Sequence, residues 1–204
     1  MTNTDTYYIP TTKGESVYKD KGSRFIGICF HCASEDQFRE ELQKIKKQYY
    51  DARHHVFAYV LLPDQSVFRS SDDGEPAGTG GKPAMNQILS AGLTNVAVVV
   101  VRYFGGIKLG VSGLINAYKT AAKEAIEAAG KKEMTVGELH LLRFGYPLLN
   151  EVMRILKDEN IQIRRSDFAV SCEIEVVIRK NEAARISKKL GKIFGLEMKY
   201  LVTI

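Results

Sequence analysis

Apolar side chains along the first half of the chain follow two different periods, and each period predicts one kind of secondary structure. Alternating apolar positions over 24–32 predict a strand that buries one face. Apolar positions at helical spacing over 35–48 predict a helix. Ser34 precedes that helix and Gln37 follows three residues later, so the two form a capping box that satisfies otherwise unpaired backbone donors.

The N-terminal part continues with further strand and helix patterns. The valine-rich run in 95–102 predicts a central strand covered on both faces, because it offers no polar side to solvent. Pro83 is well placed to open a helix. We assign no element to the polar segment 1–23. The predicted elements are strands at 54–62 and 66–70, a helix at 83–92, a strand at 95–102 and a helix at 112–129.

The hydrophobic pattern restarts after Lys132, and this restart predicts a domain boundary. Beyond it the predicted order is strand, helix, strand, strand, helix, strand, which is typical of a ferredoxin-like unit. The sequence therefore predicts an α+β protein with an N-terminal α/β domain at 1–132 and a C-terminal ferredoxin-like βαββαβ domain at 133–204. The elements of the second domain are predicted at 134–145, 147–157, 160–168, 171–179, 181–190 and 196–203.

Composition supports a globular protein and excludes several other classes. Of the 204 residues, 45% are apolar and 26% are charged, which excludes a disordered or collagen-like chain. Lys and Arg number 29 against 24 for Asp and Glu, so the formal net charge is +5. This balance permits a polyanionic partner without requiring one. The polar first residues and the short apolar run at 96–101 lead us to expect a cytoplasmic protein with no membrane partner.

A first glycine-rich segment, GEPAGTGGKP, occupies 74–83. It does not match a P-loop, because Pro76 stands where that motif needs its first glycine and Pro83 where it needs Ser or Thr. Two interpretations stay open. The segment is either a turn whose glycines adopt positive φ, or a loop of backbone donors that binds a ligand. Lys82 is our candidate anion-binding residue in this segment.

A second glycine-rich segment, RYFGGIKLG at 102–110, connects the predicted central strand to the long helix. Glycines let backbone N–H groups approach an anion at a helix N-terminus, the basic side chains add charge, and the aromatic rings could stack on bases. The alternative is a tight connection with Phe104 and Leu109 in the core. The candidate nucleic-acid or anion-binding residues here are Arg102, Tyr103, Gly105, Gly106, Lys108 and Gly110.

The histidines and cysteines predict no metal site. His54 and His55 are neighbours on a predicted strand and point to opposite faces, so one should be buried and hydrogen-bonded and the other exposed. We include His54 among the candidate anion-binding residues. Cys29 and Cys32 have zinc-like spacing, but no second pair follows, so buried thiols are favoured. With Cys172 the odd total is typical of a reduced compartment. The sequence predicts no cofactor, no metal and no catalytic constellation.

Three segments taken together resemble the IMPACT/YigZ family. They are HHVFAYV at 54–60, SDDGEPAGTGGKP at 71–83 and NVAVVVVRYFGGIKLGVSGL at 95–114. The part from about residue 133 is similar to the small C-terminal domain of the family's bacterial, YigZ-like branch. Ser112 stands where glycine is expected in this family, and we interpret it as a helix cap.

This resemblance implies a fold and a cellular process. The N-terminal α/β domain would resemble domain IV of elongation factor G and a small-subunit ribosomal protein, and the C-terminal domain would resemble domain V of that factor. Both relatives act on RNA within the ribosome. The eukaryotic IMPACT proteins regulate translation by competing for an activator of a starvation-sensing kinase, with an additional N-terminal domain, and we do not transfer that mechanism to this chain.

Three functions remain as hypotheses. We favour a non-enzymatic, translation-associated regulatory protein that binds RNA or the ribosome through the basic glycine-rich loops. The alternative is an enzyme that acts on a small phosphorylated or peptide-like substrate between those loops, with Lys82, Lys108, His54 and Asp73 as candidate residues. A third possibility is an adaptor with a protein partner. Basic residues in 164–165 and 185–192 are either solvated or a further RNA contact.

Overall fold

The computed structural model describes residues 5–204. The chain divides into two compact units. The first comprises residues 7–134, and the second comprises 135–204 together with the described residues 5 and 6. The elements of the first unit, of which the first and the last extend one residue beyond it, are β1 (Thr6–Pro10), β2 (Gly14–Asp20), β3 (Ser23–His31), α1 (Glu35–Gln48), β4 (His54–Leu61), β5 (Val67–Ser71), α2 (Gly81–Ala91), β6 (Val96–Tyr103), α3 (Gly110–Ala129) and β7 (Lys131–Thr135).

An antiparallel five-stranded sheet in the order β2-β3-β6-β4-β5 forms the centre of the first unit. Both faces of β6 are covered. Its even-numbered valines pack with α2 and α3, and Ala97, Val99 and Val101 pack on the opposite face, where α1 lies. The predicted central strand is therefore confirmed. The predicted capping box is present in part: the Gln37 N–H donates to Ser34 Oγ at 3.2 Å, but Gln37 Oε1 accepts the N–H of Ala33 at 2.8 Å and not that of Ser34.

Helix α3 lies directly on β2 and β3 because the residues between them are small. A Cβ added at Gly27 would lie 2.3 Å from the Ala121 carbonyl oxygen, and one added at Gly14 would lie 2.2 Å from that of Ala125. Neither distance leaves room for a methyl group. Five alanines of α3 are buried, whereas Ala128 is exposed; the buried ones are Ala117, Ala121, Ala122, Ala125 and Ala129. Close packing of backbone on backbone thus fixes the position of α3 over the sheet.

The segment for which no element was predicted contains two strands. β1 pairs with β7 in a separate two-stranded sheet, and β2 forms one edge of the five-stranded sheet. An edge strand keeps many of its side chains half exposed, so its sequence shows little hydrophobic contrast. Along β2 exposed and partly buried residues alternate after Gly14. The polar composition of this segment concealed both strands.

Strand register brings several connections to one end of the five-stranded sheet. Tyr103 at the end of β6 pairs with Arg24 at the start of β3, and Arg102 pairs with His54 at the start of β4. Ser71 at the end of β5 pairs with Phe57 of β4. The β2–β3 turn and both glycine-rich segments therefore begin at the same end, which we call the loop end of the sheet.

The second unit is a four-stranded antiparallel sheet with helices packed on one face. The order strand, helix, strand, strand, helix, strand agrees with the prediction. The strand predicted at 134–145 is divided between β7 and the first strand of this sheet. The elements are β8 (Gly137–Phe144), a 3-10 turn (Tyr146–Leu148), α4 (Leu149–Asp158), β9 (Gln162–Phe168), β10 (Cys172–Arg179), α5 (Lys180–Leu190) and β11 (Glu197–Thr203), with the sheet order β11-β8-β10-β9.

No helix in residues 5–204 is both long enough and apolar enough to cross a membrane.

Candidate nucleic-acid interface

The loop end of the sheet gathers the candidate binding residues of the first unit. His54, Arg102 and Tyr103 stand at strand ends. Lys82 lies in the first turn of α2, which follows the first glycine-rich segment. The remaining candidates, Gly105, Gly106, Lys108 and Gly110, lie in the connection between β6 and α3 or at its end.

The backbone of the first glycine-rich segment donates hydrogen bonds to the carboxylate of Asp72, which lies two residues before the segment. The N–H groups of Gly78, Gly80 and Gly81 each donate to the Asp72 carboxylate at 2.8 Å. Burial would raise the pKa of Asp72, but these three donors outweigh it and hold the pKa below its ordinary value. The three N–H groups are therefore occupied by an internal anion. This favours the interpretation as a turn, and Gly74 adopts a positive φ of 86°.

Arg102 does not present a free cation, so that expectation is wrong. Its side chain is only 8% exposed, and Nη1 lies 2.5 Å from Oε1 of Glu75, whose side chain is 3% exposed. The Tyr118 hydroxyl donates to the same oxygen at 2.8 Å. The cause is the strand register, which directs Arg102 to the face that α3 covers, beside Phe25. Its charge is neutralised inside the protein.

The two histidines lie on opposite faces of β4, as predicted. His55 is buried, and its Nε2 lies 3.2 Å from the Tyr49 carbonyl oxygen. Burial lowers the pKa of His55, although the Tyr49 carbonyl and the Asp73 carboxylate act in the opposite direction. The His54 side chain is 23% exposed, and its Nε2 lies 3.9 Å from Glu75 Oε1.

Two of the candidate catalytic residues are hydrogen-bonded in structural roles. His54 Nδ1 lies 2.8 Å from the Asp73 carbonyl oxygen, which can only accept, so Nδ1 carries the proton. The Asp73 carboxylate accepts the backbone N–H of His55 at 2.6 Å. These contacts tie the start of β4 to the first glycine-rich segment.

The second glycine-rich segment contacts the β2–β3 turn. The Gly105 N–H donates to Ser23 Oγ at 3.1 Å, and a Cβ at Gly105 would lie 1.9 Å from the carbonyl carbon of Gly22. Gly106 has a φ of 88° and Gly110 a φ of 76°, which a side chain would disfavour. Glycine at these positions allows a tight connection that holds the residues between them out in solvent.

The connection exposes an aromatic ring and a cation. Phe104 is 53% exposed, which contradicts the alternative that placed it in the core, whereas Leu109 is buried as that alternative expected. Lys108 is exposed and forms no ion pair with any residue from 5 to 204. Helix α3 begins at Gly110, before Ser112, so Ser112 is not its cap.

Lys82 lies on a second exposed surface, a groove of about 390 Å³ between α2 and α3. Lys119 lines the same groove with Ile115, and neither lysine forms an ion pair within the described part of the chain. Lys119 was not singled out by the sequence analysis. It lies one helical turn after Ile115, and that spacing on an exposed helix face could have identified it.

Tyr103 is also held by contacts inside the unit. The Arg24 guanidinium carbon lies 4.7 Å from the centre of the Tyr103 ring, and the Tyr103 hydroxyl donates to Asp51 at 2.7 Å. This hydrogen bond raises the pKa of Tyr103 above its ordinary value. One face of the ring is thus covered by Arg24, so Tyr103 is less available for base stacking than Phe104.

The cysteines are buried thiols, as expected. Burial raises the pKa of Cys29 to about 12 and that of Cys32 to about 11, so both remain protonated near neutral pH. Cys172 is buried in the second unit. Across residues 5–204, no group of three or more His, Cys, Asp or Glu side chains is placed to hold a metal ion.

Known proteins resemble this chain over most of its length, and residues 21–126 match the family model of the Impact N-terminal domain. IMPACT family member YigZ of Escherichia coli (strain K12) is 32% identical over 189 residues, which cover 92% of this chain and 93% of that protein. A crystal structure described as a hypothetical protein has a TM-score of 0.75 and 31% identity, and the match covers 97% of this chain and 98% of that one. A structure described as the two-domain translational regulator Yih1 is 29% identical, with a TM-score of 0.37, and covers 60% of this chain and 47% of that one. The family resemblance carried by the glycine-rich segments is thereby confirmed, and the chain belongs to the IMPACT family.

Proposed function

We propose that this protein is a translation-associated regulator that binds RNA, alone or in the ribosome, through the loop end of its five-stranded sheet. One observation carries the proposal. Lys82 and Lys108 are exposed without ion-pair partners among the described residues, and both belong to segments that leave the same end of the sheet. Unpaired lysines in two segments that leave the same end of a sheet favour a polyanion long enough to contact both, because neutralising phosphates releases condensed counterions.

Phe104 would add base stacking to the phosphate contacts. Its exposed ring offers a face on which a base can stack, and such stacking is worth about 1–3 kcal/mol per base. The Arg102 guanidinium carbon lies 5.5 Å from the centre of this ring and 5.4 Å from that of Phe25. Arg102 is therefore proposed as a positioning residue that supports Phe104, and not as a phosphate contact.

Family membership supports the part of the proposal that concerns translation. The resemblance implies that IMPACT proteins act on translation, and we extend that process to this chain. We also infer a ferredoxin-like topology for the second unit and a likeness of the first unit to domain IV of elongation factor G. The sheet order β11-β8-β10-β9 with both helices on one face supports the former.

Fluorescence anisotropy with a labelled single-stranded RNA tests the proposal. We expect binding that weakens between about 50 and 200 mM salt, as counterion release requires. The double variant Lys82→Gln/Lys108→Gln should bind more weakly on every RNA sequence, because phosphate contacts do not distinguish bases.

The matched control is Lys13→Gln/Lys44→Gln, which removes the same charge. These lysines are exposed and pair with Glu15 and Glu41 at 2.8 and 2.5 Å. If both double variants lose the same affinity, net charge alone explains the loss, and Lys82 and Lys108 are not phosphate contacts. A protein partner that is retained from lysate after nuclease treatment, with no RNA binding at low salt, would instead favour the adaptor hypothesis.

A further inference from the structure

We propose that the cleft beside the β2–β3 turn is a second phosphate-binding site for the same RNA strand, an inference that rests on the proposed function. The cleft has a volume of about 510 Å³. Its lining residues are Lys19, Asp20, Lys21, Gly22, Arg24 and Tyr103. None of its cations was singled out by the sequence analysis, because the strand that precedes the turn was not predicted.

The charges in this cleft are unbalanced. Lys19 pairs directly with Arg24 across β2 and β3, and Arg24 pairs with Tyr103 across β3 and β6. Like charges directly opposite each other destabilise an antiparallel sheet. Neither cation forms an ion pair within residues 5–204, and Asp20 is the only carboxylate among the lining residues. This arrangement costs folding free energy and is suited to an anion that enters from outside.

Lys21 adds a third cation at a position that disfavours lysine. Lys21 and Gly22 form the two-residue turn, and both have positive φ, 44° and 77°. Such turns favour Asn followed by Gly, because asparagine tolerates the left-handed region. Lysine is exposed here and has no ion-pair partner within the described chain. Its charge is therefore the property that a ligand could use.

Arg24 is held in a fixed place at the wall of the cleft. Its guanidinium lies over the Tyr103 ring at 4.7 Å, and the ring is anchored through its hydroxyl to Asp51. A guanidinium stacked on an aromatic ring keeps its N–H donors in its own plane, directed outward from the stack. These donors suit the paired oxygens of a phosphate.

The cleft adjoins the segment that carries the first proposed contacts. Gly105 lies against Gly22, and its N–H is bonded to Ser23, so the β2–β3 turn and the connection that bears Phe104 and Lys108 touch each other. An RNA strand that stacks a base on Phe104 would therefore pass close to the cations of the cleft. The occupant of the cleft is the phosphate backbone of this strand.

The experiment measures the salt dependence of RNA binding by the double variant Lys19→Gln/Lys21→Asn. Asparagine suits the turn, so this variant should fold as well as the parent protein, and its melting temperature serves as the check. For single strands, log Kobs falls with log salt by about 0.7 for each phosphate neutralised. We expect the slope to become shallower by about 0.7 for each phosphate that the variant no longer neutralises, and affinity at low salt to fall several-fold.

The outcomes separate the two proposals. An unchanged slope, equal to that of Lys13→Gln/Lys44→Gln, together with weakened binding by Lys82→Gln/Lys108→Gln, would overturn the cleft assignment and leave the proposed function standing. No RNA binding by the parent protein would overturn both. If the slope becomes shallower for Lys19→Gln/Lys21→Asn but not for Lys82→Gln/Lys108→Gln, the cleft binds phosphate and Lys82 and Lys108 do not.

Discussion

At the scale of single residues, the ion pair between Arg102 and Glu75 gives Arg102 a structural role in place of the predicted phosphate contact. Sequence places it beside glycines and aromatic rings, where a phosphate contact is a reasonable prediction. The structure places it against Glu75 and Tyr118, which lie 27 and 16 positions away in the chain, and 8% of its side chain is exposed. No local pattern could reveal this contact, because it depends on the path of the first glycine-rich segment over α3.

The buried pair gives a stability prediction. Replacing Glu75 with Gln leaves the Arg102 charge buried without a counterion, and removing one partner of a buried pair costs about 3–5 kcal/mol. Urea denaturation should show this loss in the free energy of unfolding. The double variant Glu75→Gln/Arg102→Met should recover part of it. A Glu75→Gln protein as stable as the parent would contradict the neutralisation that we describe.

His55 gives a pH prediction. Because burial lowers its pKa in the folded protein, the unfolded chain takes up a proton first as the pH falls through about 6.5. His55 therefore contributes its full stability above about pH 6.5, and this contribution is lost as the pH falls through about 6.5 toward the folded pKa. The melting temperature at about pH 7.5 and 5.5 should differ less in His55→Gln than in the parent. An equal difference in both proteins would show that another group is responsible.

At the scale of secondary-structure elements, the sequence predicted those elements whose hydrophobic pattern and capping residues are local to the element. Helix α1 has the predicted bounds, because its N-cap residue Ser34 and its apolar period are local to the element. The central strand was recognised from its valines alone. β1 and β2 were missed because their burial depends on strands far along the chain, so the cleft at the β2–β3 turn was missed with them. The two glycine-rich segments were recognised, but sequence could not show that Asp72 occupies the donors of the first one.

The contact of α3 with the sheet gives a prediction at this scale. Gly27→Ala would place a methyl group 2.3 Å from the Ala121 carbonyl oxygen, so α3 must shift. We expect a decrease of about 1–3 kcal/mol in the free energy of unfolding of the first unit, as for other overpacked sites.

Gly145→Ala is the matched control for this substitution. Gly145 has a φ of −79°, and its added Cβ would lie 3.6 Å from the nearest atom. Chemical denaturation followed by circular dichroism measures both variants. If Gly27→Ala costs no more than Gly145→Ala, the helix does not rest on the strand as closely as the structure shows.

At the scale of the whole molecule, the placement of unpaired charge matters more than the net charge of +5. In the second unit, Arg185 and Lys189 both pair with Glu159, at 2.8 and 2.6 Å, and these bonds lower the pKa of Glu159 to about 2. Arg143 pairs with Glu173. These pairs favour a structural role for Arg143, Arg185 and Lys189, whereas the exposed residues Arg164, Arg165, Lys188 and Lys192 form no ion pair among residues 5–204. At the loop end of the first unit, the unpaired Lys108 lies in the same connection as the exposed ring of Phe104, and we therefore favour that end for an RNA contact.

We propose that the loop end of the five-stranded sheet binds RNA by neutralising its phosphates. The most direct test is the affinity of the parent protein for a labelled single-stranded RNA, measured by anisotropy from about 50 to 200 mM salt. We expect a linear fall of log Kobs with log salt, with a slope at least as steep as about −1.4 for the two lysines of the glycine-rich segments, at about 0.7 each. Absence of binding at the lowest salt, or an affinity that does not change with salt, would contradict it.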